Sequence, residues 1–175
     1  MPSNNSVPTG LALLKVGDKS KVLGLTIGSH AVEPGLYVPR ADAQKAPQLH
    51  FDVPDPNGTY LVMGLDIDAP FPSCTVLGPI LHWIQPGLKS EKGSGPPGLK
   101  AVGSSVVSYI GPGPPPGSAP HRYCFFLYEQ PAGFDAAAHE GVIVGNWARM
   151  RFSLDDWERK TQLGPILAAN YFTSN

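Results

Sequence analysis

The stretch YIGPGPPPGSAPHRYCFFLYE, residues 109–129, contains the features that decide the fold of this chain. Its second half, HRYCFFLYE at 121–129, is mainly apolar and aromatic, which is typical of a buried β-strand. Its first half includes GPGPPPG at 111–117, where glycine and consecutive prolines predict a rigid, irregular loop. His121 and Tyr123 lie two positions apart and therefore share one face of the strand. The loop thus leads into a buried strand that begins with two hydrogen-bonding side chains.

Other short strands are predicted on both sides of this stretch. The clearest is YLVMGLDI at 60–67, which is continuously apolar and is followed by Asp68-Ala69-Pro70, where proline ends the pairing. A helix is predicted from Ser153, because serine followed by acidic residues and later by basic ones matches an N-cap and the helix dipole. A surface loop is predicted at 86–98, and further strands at 22–27, 48–53, 80–84, 102–110 and 166–172.

The composition fits a single globular domain, 1–175, and narrows the class of partner. Glycine and proline, 20 of each, favour many short strands over long helices. The formal net charge of −1 and 13 scattered basic residues argue against nucleic-acid binding. No apolar run approaches the roughly 18 residues that a membrane span needs, and no secretory signal is recognisable. These features predict a cytoplasmic protein with no transmembrane segment.

Polar residues interrupt the buried strands at three places. Asp66 and Asp68 lie two positions apart at a strand end, where unpaired carboxylates would cost on the order of several kcal/mol. His82 lies within another apolar strand, and His121 with Tyr123 begins a third. We expect these residues to meet, so that a carboxylate favours an imidazolium and N–H donors face an anion in a cavity. The simpler alternatives are that the aspartates cap a turn and that His82 is a satisfied core residue.

Four motifs together resemble the signatures of the phosphatidylethanolamine-binding protein family. They are LDIDAP at 65–70, LHWI at 81–84, YIGPGPPPGSAPHRY at 109–123 and LYEQ at 127–130, in the order and spacing of that family. The resemblance implies a mostly β fold, with a large central antiparallel sheet, a smaller sheet and one or two short helices. It also implies a cis Ala69-Pro70 bond.

The same resemblance implies a pocket for phosphate-like and carboxylate groups, including phospholipid head groups. Nine residues match the pocket of the family, and Asp68 is added because it shares the strand end with Asp66. The nine are Asp66, Ala69, Pro70, His82, Gly113, Pro114, Pro115, His121 and Tyr123.

Two functions are compatible with such a pocket. The first is a binding or regulatory role, in which the pocket captures an anionic group of a small ligand or of a protein partner. The second follows from a likeness to fungal members, some of which assist cyclisation or dimerisation of anhydride intermediates in secondary metabolism. There His121 or His82 would move a proton, Tyr123 would donate to an oxyanion, and Asp66 or Asp68 would tune a histidine. The sequence leaves open whether the protein is an enzyme.

Metal and serine chemistry fit less well. The two aspartates and two histidines could supply zinc ligands, but similar proteins use these residues without a metal, so no metal or cofactor is predicted. The chain has no G-x-S-x-G motif, which argues against a serine hydrolase.

Overall fold

The computed structural model describes residues 3–91, 97–141, 143 and 145–175. In this part of the chain, three α-helices are present: α1 (Ser6–Ala12), α2 (Gly145–Arg149) and α3 (Leu154–Thr161). None of these helices is long and apolar enough to cross a membrane. The described residues also form nine strands, which are numbered β1 to β9 in chain order. They are Gly24–Ile27, His30–Ala31, Leu36–Tyr37, Gln48–His50, Tyr60–Asp66, Ile80–Glu91, Gly98–Ala101, His121–Glu129 and Ala168–Ser174.

The described strands form a sheet in the order β2-β1-β4-β7-β6-β5-β8-β9-β3, antiparallel except where β3 joins β9. Strand β5 is central, with β6 and β8 as its antiparallel neighbours. Asp66, its last residue, therefore faces Ile80 of β6 on one side and Tyr123 of β8 on the other. Strands β1, β2 and β4 form a smaller section that joins the large one through β7. The predicted mostly β fold is confirmed.

Buried side chains cover both faces of the central strands, which explains why their sequences are continuously apolar. On one face, Leu61 and Met63 of β5 belong to a cluster with Trp157 of α3. On the other face, Tyr60 and Val62 belong to a cluster that includes residues of β1 and β4. Asp66 follows Tyr60 and Val62 in the same alternation, so the candidate site lies where this second cluster ends.

The predictions for most strands and for the helix are confirmed within a few residues. The helix begins as predicted, because the Ser153 hydroxyl accepts a hydrogen bond from the backbone N–H of Asp156 at 3.2 Å. Its last residue is Thr161, and the C-cap residue Gln162 has a left-handed backbone with φ of 56°, two residues before Gly164. The predicted cis peptide bond between Ala69 and Pro70 is also present.

Two predictions about chain segments were wrong. Residues 102–110 form no regular strand; they run beside β6, where Val107 forms an isolated bridge with Ile84. The register of β6 against β5 shifts on both sides of Ile84, and such irregularities interrupt a hydrogen-bond ladder. The predicted loop 86–98 is also too long, because 86–91 belong to β6 and Gly98 begins β7; its middle, 92–96, lies outside the described residues.

Candidate functional site

A solvent-open cavity of about 480 Å³ lies at the polar ends of β5 and β6. Its other walls are the loop after Tyr109, the turn that follows Pro39, and α2 with the residue after it. The turn packs closely on the loop, because a Cβ on Gly111 would lie 2.7 Å from the Gln44 side chain. The lining residues are Arg40, Gln44, Asp66, Ile80, His82, Ile110, Gly111, Pro112, Gly113, Asn146 and Met150.

Asp66, which lines the cavity, forms a buried pair with His121. His121 Nδ1 lies 2.8 Å from Asp66 Oδ2, and the two residues are 1% and 3% exposed. His121 Nε2 lies 3.1 Å from the Pro70 carbonyl oxygen. Both ring nitrogens of His121 are therefore engaged by protein groups, and His121 is not among the residues that line the cavity.

Ser118 extends this pair into a line of acid, imidazole and hydroxyl. Its Oγ lies 2.9 Å from His121 Nε2 and donates its own proton to the Ala119 carbonyl at 2.9 Å. The distances resemble those of a catalytic triad, but the hydroxyl proton is directed at the Ala119 carbonyl oxygen and not at the imidazole.

Asp68 belongs to a different ion pair, outside the cavity lining. Its carboxylate accepts two hydrogen bonds from the Arg122 guanidinium, at 2.8 and 2.6 Å, and a third from the Arg122 backbone N–H at 2.9 Å. Burial acts to raise the pKa of Asp68, but the hydrogen bonds and charge of Arg122 hold it below its ordinary value. Asp66 therefore pairs with His121 and lines the cavity, whereas Asp68 pairs with Arg122 and does not line it.

His82 reaches the cavity because it occupies a β-bulge. Gly64 pairs with Trp83 and Leu65 pairs with Leu81, which leaves His82 as an extra residue in β6. His82 and Trp83 consequently both project towards the cluster that contains Tyr123, and the His82 ring meets the edge of the Tyr123 ring with centroids 5.1 Å apart.

The protonation state of His82 follows from its surroundings. Nδ1 donates to the Ile110 carbonyl oxygen at 2.7 Å, and Nε2 has no hydrogen-bond partner among the described residues. Burial lowers the pKa of His82, and the charges of Arg149 and His121 lower it further, against the opposing effects of the Ile110 carbonyl and Asp66. At neutral pH the imidazole is therefore uncharged and Nε2 offers a lone pair.

Arg149 of α2 stabilises this bulge through hydrogen bonds to its backbone. It is 6% exposed and donates to the carbonyl oxygens of Leu81 and His82 and to the Ser108 hydroxyl, each at 3.3 Å. No ion pair to Arg149 is found within the described residues. Burial lowers the pKa of Arg149, but arginine stays charged because its ordinary pKa lies above 12. The sequence contained no signal for this role.

The remaining predicted residues contribute in different ways. The Tyr123 hydroxyl is buried and has no hydrogen-bond partner among the described residues. Burial and the charge of Asp66 raise the pKa of Tyr123, so the hydroxyl stays protonated. Gly113 lines the cavity, whereas Pro114 and Pro115 stand next to it in the chain and do not line it. Ala69 is also outside the lining, and Pro70 acts through its carbonyl on His121.

Sequence reasoning missed eight of the eleven residues that line the cavity: Arg40, Gln44, Ile80, Ile110, Gly111, Pro112, Asn146 and Met150. The most important is Arg40, whose Nη2 would lie 3.9 Å from a Cβ on Gly113. Its guanidinium makes no hydrogen bond or ion pair with any described residue, and it is the one cation among those that line the cavity. In the sequence, a lone arginine in a polar segment is indistinguishable from a solvated surface residue.

A zinc site finds no support in this arrangement. Among the described residues, no three histidine, cysteine, aspartate or glutamate side chains converge as metal ligands. Asp68 is engaged by Arg122 and His121 by three protein groups, so neither is free to bind a metal.

Comparison with known proteins identifies the relatives of this chain. The family model described as phosphatidylethanolamine-binding protein matches residues 28–172. Carboxypeptidase Y inhibitor of Saccharomyces cerevisiae is 27% identical over 74% of this chain and 65% of that protein, so the chain spans just under two-thirds of this relative. Protein FLOWERING LOCUS T of Arabidopsis thaliana is 26% identical over 89% of this chain and 80% of that protein.

The fold agrees with these sequence matches. The solved structure of carboxypeptidase Y inhibitor complexed with its cognate proteinase superposes with a TM-score of 0.72 at 23% identity, over 97% of this chain and 92% of that one. Because the family model covers most of the sequence and the same fold is present, this chain belongs to the phosphatidylethanolamine-binding protein family.

Proposed function

We propose that this protein binds small phosphate or carboxylate groups in the cavity at the end of β5 and thereby acts as a binding or regulatory protein. The observation that carries the proposal is the unpaired guanidinium of Arg40 at the cavity wall. Guanidinium groups form strong, often bidentate hydrogen bonds with phosphate and carboxylate oxygens. An anion in the cavity would supply the partner that Arg40 lacks among the described residues.

The other ionisable groups near the cavity are already hydrogen-bonded to protein groups, which makes Arg40 the group that attracts a ligand. Asp66 is hydrogen-bonded to His121, and Asp68 pairs with Arg122 outside the cavity lining. Arg149 is directed at backbone carbonyls behind His82. The local field at the mouth of the cavity is therefore set mainly by Arg40, and it favours a negatively charged guest.

A protein partner is supported by a relative and by the surface around the cavity. One relative is, by its name, an inhibitor of carboxypeptidase Y, and it has been solved in complex with its proteinase. In this chain, the side chain of Trp147, next to the lining residue Asn146, is 84% exposed. Val76 and Phe71 are also exposed, in a segment that is hydrogen-bonded through Leu77 to Arg151. Exposed apolar groups beside a pocket are typical of interaction sites.

The proposal is tested by thermal unfolding with and without sodium phosphate at pH 6.5, with sodium chloride at equal ionic strength as the reference. At a phosphate concentration of 100 times Kd, binding adds about 2.7 kcal/mol of stability, which raises Tm by roughly 5–11 °C for a domain of this size. R40Q should abolish this rise. R159Q is the matched control, because Arg159 is an exposed arginine of α3 that does not line the cavity. The R159Q protein should retain the rise in Tm.

Two results would contradict the proposal. One is an unchanged Tm of the wild-type protein at high millimolar phosphate. The other is an equal rise in R40Q and wild type, which would place the anion elsewhere on the molecule.

A further inference from the structure

The N-terminal segment 3–14, here called the arm, is held on α3 by a concentrated set of hydrogen bonds. The Asp155 carboxylate of α3 accepts from the backbone N–H groups of Asn5 and Ser6, each at 2.9 Å. Glu158, which lies three residues further along the same face of α3, accepts from the Ser6 hydroxyl. Hydrogen-bond donors of the arm thus meet two carboxylates of another helix.

The helix of the arm depends on this contact. Helix α1 has seven residues, whereas isolated helices shorter than about 12 residues are marginal in water. Gly10 in its interior weakens it further. The N-cap residue Asn5 makes no side-chain cap of its own, and Asp155 of α3 supplies the missing acceptor. If the contact with α3 is lost, α1 therefore loses its cap as well.

The docked arm covers apolar side chains of the sheet. Val7 is 7% exposed and belongs to the same cluster as Phe126 of β8. At Gly10 the backbone of α1 lies so close to the sheet that an added Cβ would be 2.6 Å from the Phe126 ring and 2.8 Å from Ile166. Detachment of the arm would expose this apolar surface.

The contact between Ser6, Asp155 and Glu158, here called the latch, accepts donors but no further negative charge. Burial acts to raise the pKa of Asp155, but the hydrogen bonds from the arm hold it below its ordinary value. Among the described residues, neither latch carboxylate forms an ion pair with a lysine or arginine, and Arg159 of the same helix pairs with Asp156. A phosphate on Ser6 would carry a charge of about −1.5 to −2 at pH 7 and would face Glu158 where the hydroxyl now donates.

We infer that Ser6 is a site at which phosphorylation by a protein kinase releases the arm from α3. The terminal phosphoryl group of a nucleoside triphosphate moves to Ser6: the Oγ–P bond forms, the P–O bond to the nucleoside diphosphate breaks, and the hydroxyl proton passes to a base of the kinase. The half-buried hydroxyl reaches the kinase while the arm is detached, and the phosphate then keeps the arm from docking again. This inference is independent of the cavity and of the proposed function.

The test uses the intact protein with phosphoserine incorporated at position 6 and measures hydrogen–deuterium exchange of the backbone amides at pH 7. We expect the amides of α1 to exchange about tenfold faster than in the unmodified protein, while β5 and β8 keep their protection. S6E and S6Q separate charge from size, because the two side chains have nearly the same shape. S6E should accelerate the exchange of α1, and S6Q should accelerate it about threefold less.

E158K provides the second measurement, because it places a cation opposite the phosphate. In the phosphorylated protein E158K should slow the exchange of α1 by about tenfold, and in the unmodified protein it should not slow it. Equal exchange of α1 with and without the phosphate would overturn the inference. An acceleration that S6Q reproduces in full, or that E158K does not reverse, would also overturn it, because size and not charge would then release the arm. Loss of protection in β5 and β8 together with α1 would overturn it as well, since the whole domain would then unfold.

Discussion

Asp66 is 3% exposed, and both of its carboxylate oxygens accept hydrogen bonds. D66N keeps the size of the side chain but replaces one of the two carboxylate oxygens that accept from the Asp68 backbone N–H and bind His121 Nδ1. Loss of a hydrogen-bond partner for a buried polar group costs about 1–3 kcal/mol. We expect the free energy of unfolding in urea at pH 7 to fall by that amount. D156N is the control, since Asp156 forms an exposed pair with Arg159, and it should cost less than about 1 kcal/mol. A loss in D66N no larger than in D156N would show that the buried pair is not needed.

The sequence could predict which residues gather at the site but not how they pair. Strand alternation and the family resemblance brought Asp66, His82 and His121 together, and in the structure all three lie at the ends of neighbouring strands. In the sequence, however, His121 and Arg122 are adjacent, so either of them could pair with either aspartate. Because successive side chains of a strand point to opposite faces, Arg122 points away from His121, and it pairs with Asp68. That choice depends on the three-dimensional positions of the side chains, which a one-dimensional pattern does not contain.

The short helix α2 is a support for the β-bulge in β6, because Arg149 at its end donates to the carbonyl oxygens of Leu81 and His82. R149M keeps much of the packing volume and removes these hydrogen bonds, so the unfolding free energy should fall by about 1–3 kcal/mol. The pKa of His82 should rise towards its ordinary value, since one of the charges that disfavours the imidazolium is removed. Histidine NMR titration measures the second effect.

R159M is the matched control for this experiment, because Arg159 is exposed and pairs with Asp156. It should change neither the His82 titration nor the stability by more than about 1 kcal/mol. A His82 titration that is identical in R149M and wild type would contradict the role of Arg149 at the site, even if R149M lost stability through poorer packing.

Helices and strands were predictable where the local sequence pattern and the tertiary packing favour the same structure. The strand at 121–129 and the helix start at Ser153 are of this kind. The acidic residues after Ser153 were interpreted as complements of the helix dipole, yet Asp155 reaches across to α1 and accepts from the backbone N–H groups of Asn5 and Ser6, each at 2.9 Å. The bulge at His82 could not be predicted, because an extra residue in a strand is defined by its partner strand.

The candidate site lies where the apolar layer formed by the central strands of the sheet ends. Strands β5, β6 and β8 are buried along most of their length and become polar at the same edge of the sheet, where the loop 110–113 and the turn with Arg40 close the cavity. The apolar strands were predictable, since their composition determines them. Arg40 was not, because it is brought to the cavity by the path of the chain between β3 and β4.

His82 links the stability of the whole molecule to pH. Its pKa in the folded protein lies below the ordinary value of about 6.5, so below that pH the unfolded chain binds more protons than the folded one. The contribution of His82 to stability is therefore complete above about pH 7 and is lost as pH falls below 6.5, with a limiting slope of about 1.4 kcal/mol per pH unit. Urea unfolding at pH 7.5 and pH 5.5 measures this slope.

H82Q isolates the contribution of His82, because glutamine does not titrate. We expect the difference in unfolding free energy between pH 7.5 and pH 5.5 to be smaller in H82Q than in wild type by about 1 kcal/mol. Asp68, whose pKa is also lowered, cannot mimic this effect, because its contribution is present above its unfolded pKa of about 4 and is lost only below that value. An equal difference in both proteins would mean that folding leaves the protonation of His82 unchanged, and the neutral acceptor at the cavity wall would lose its physical basis.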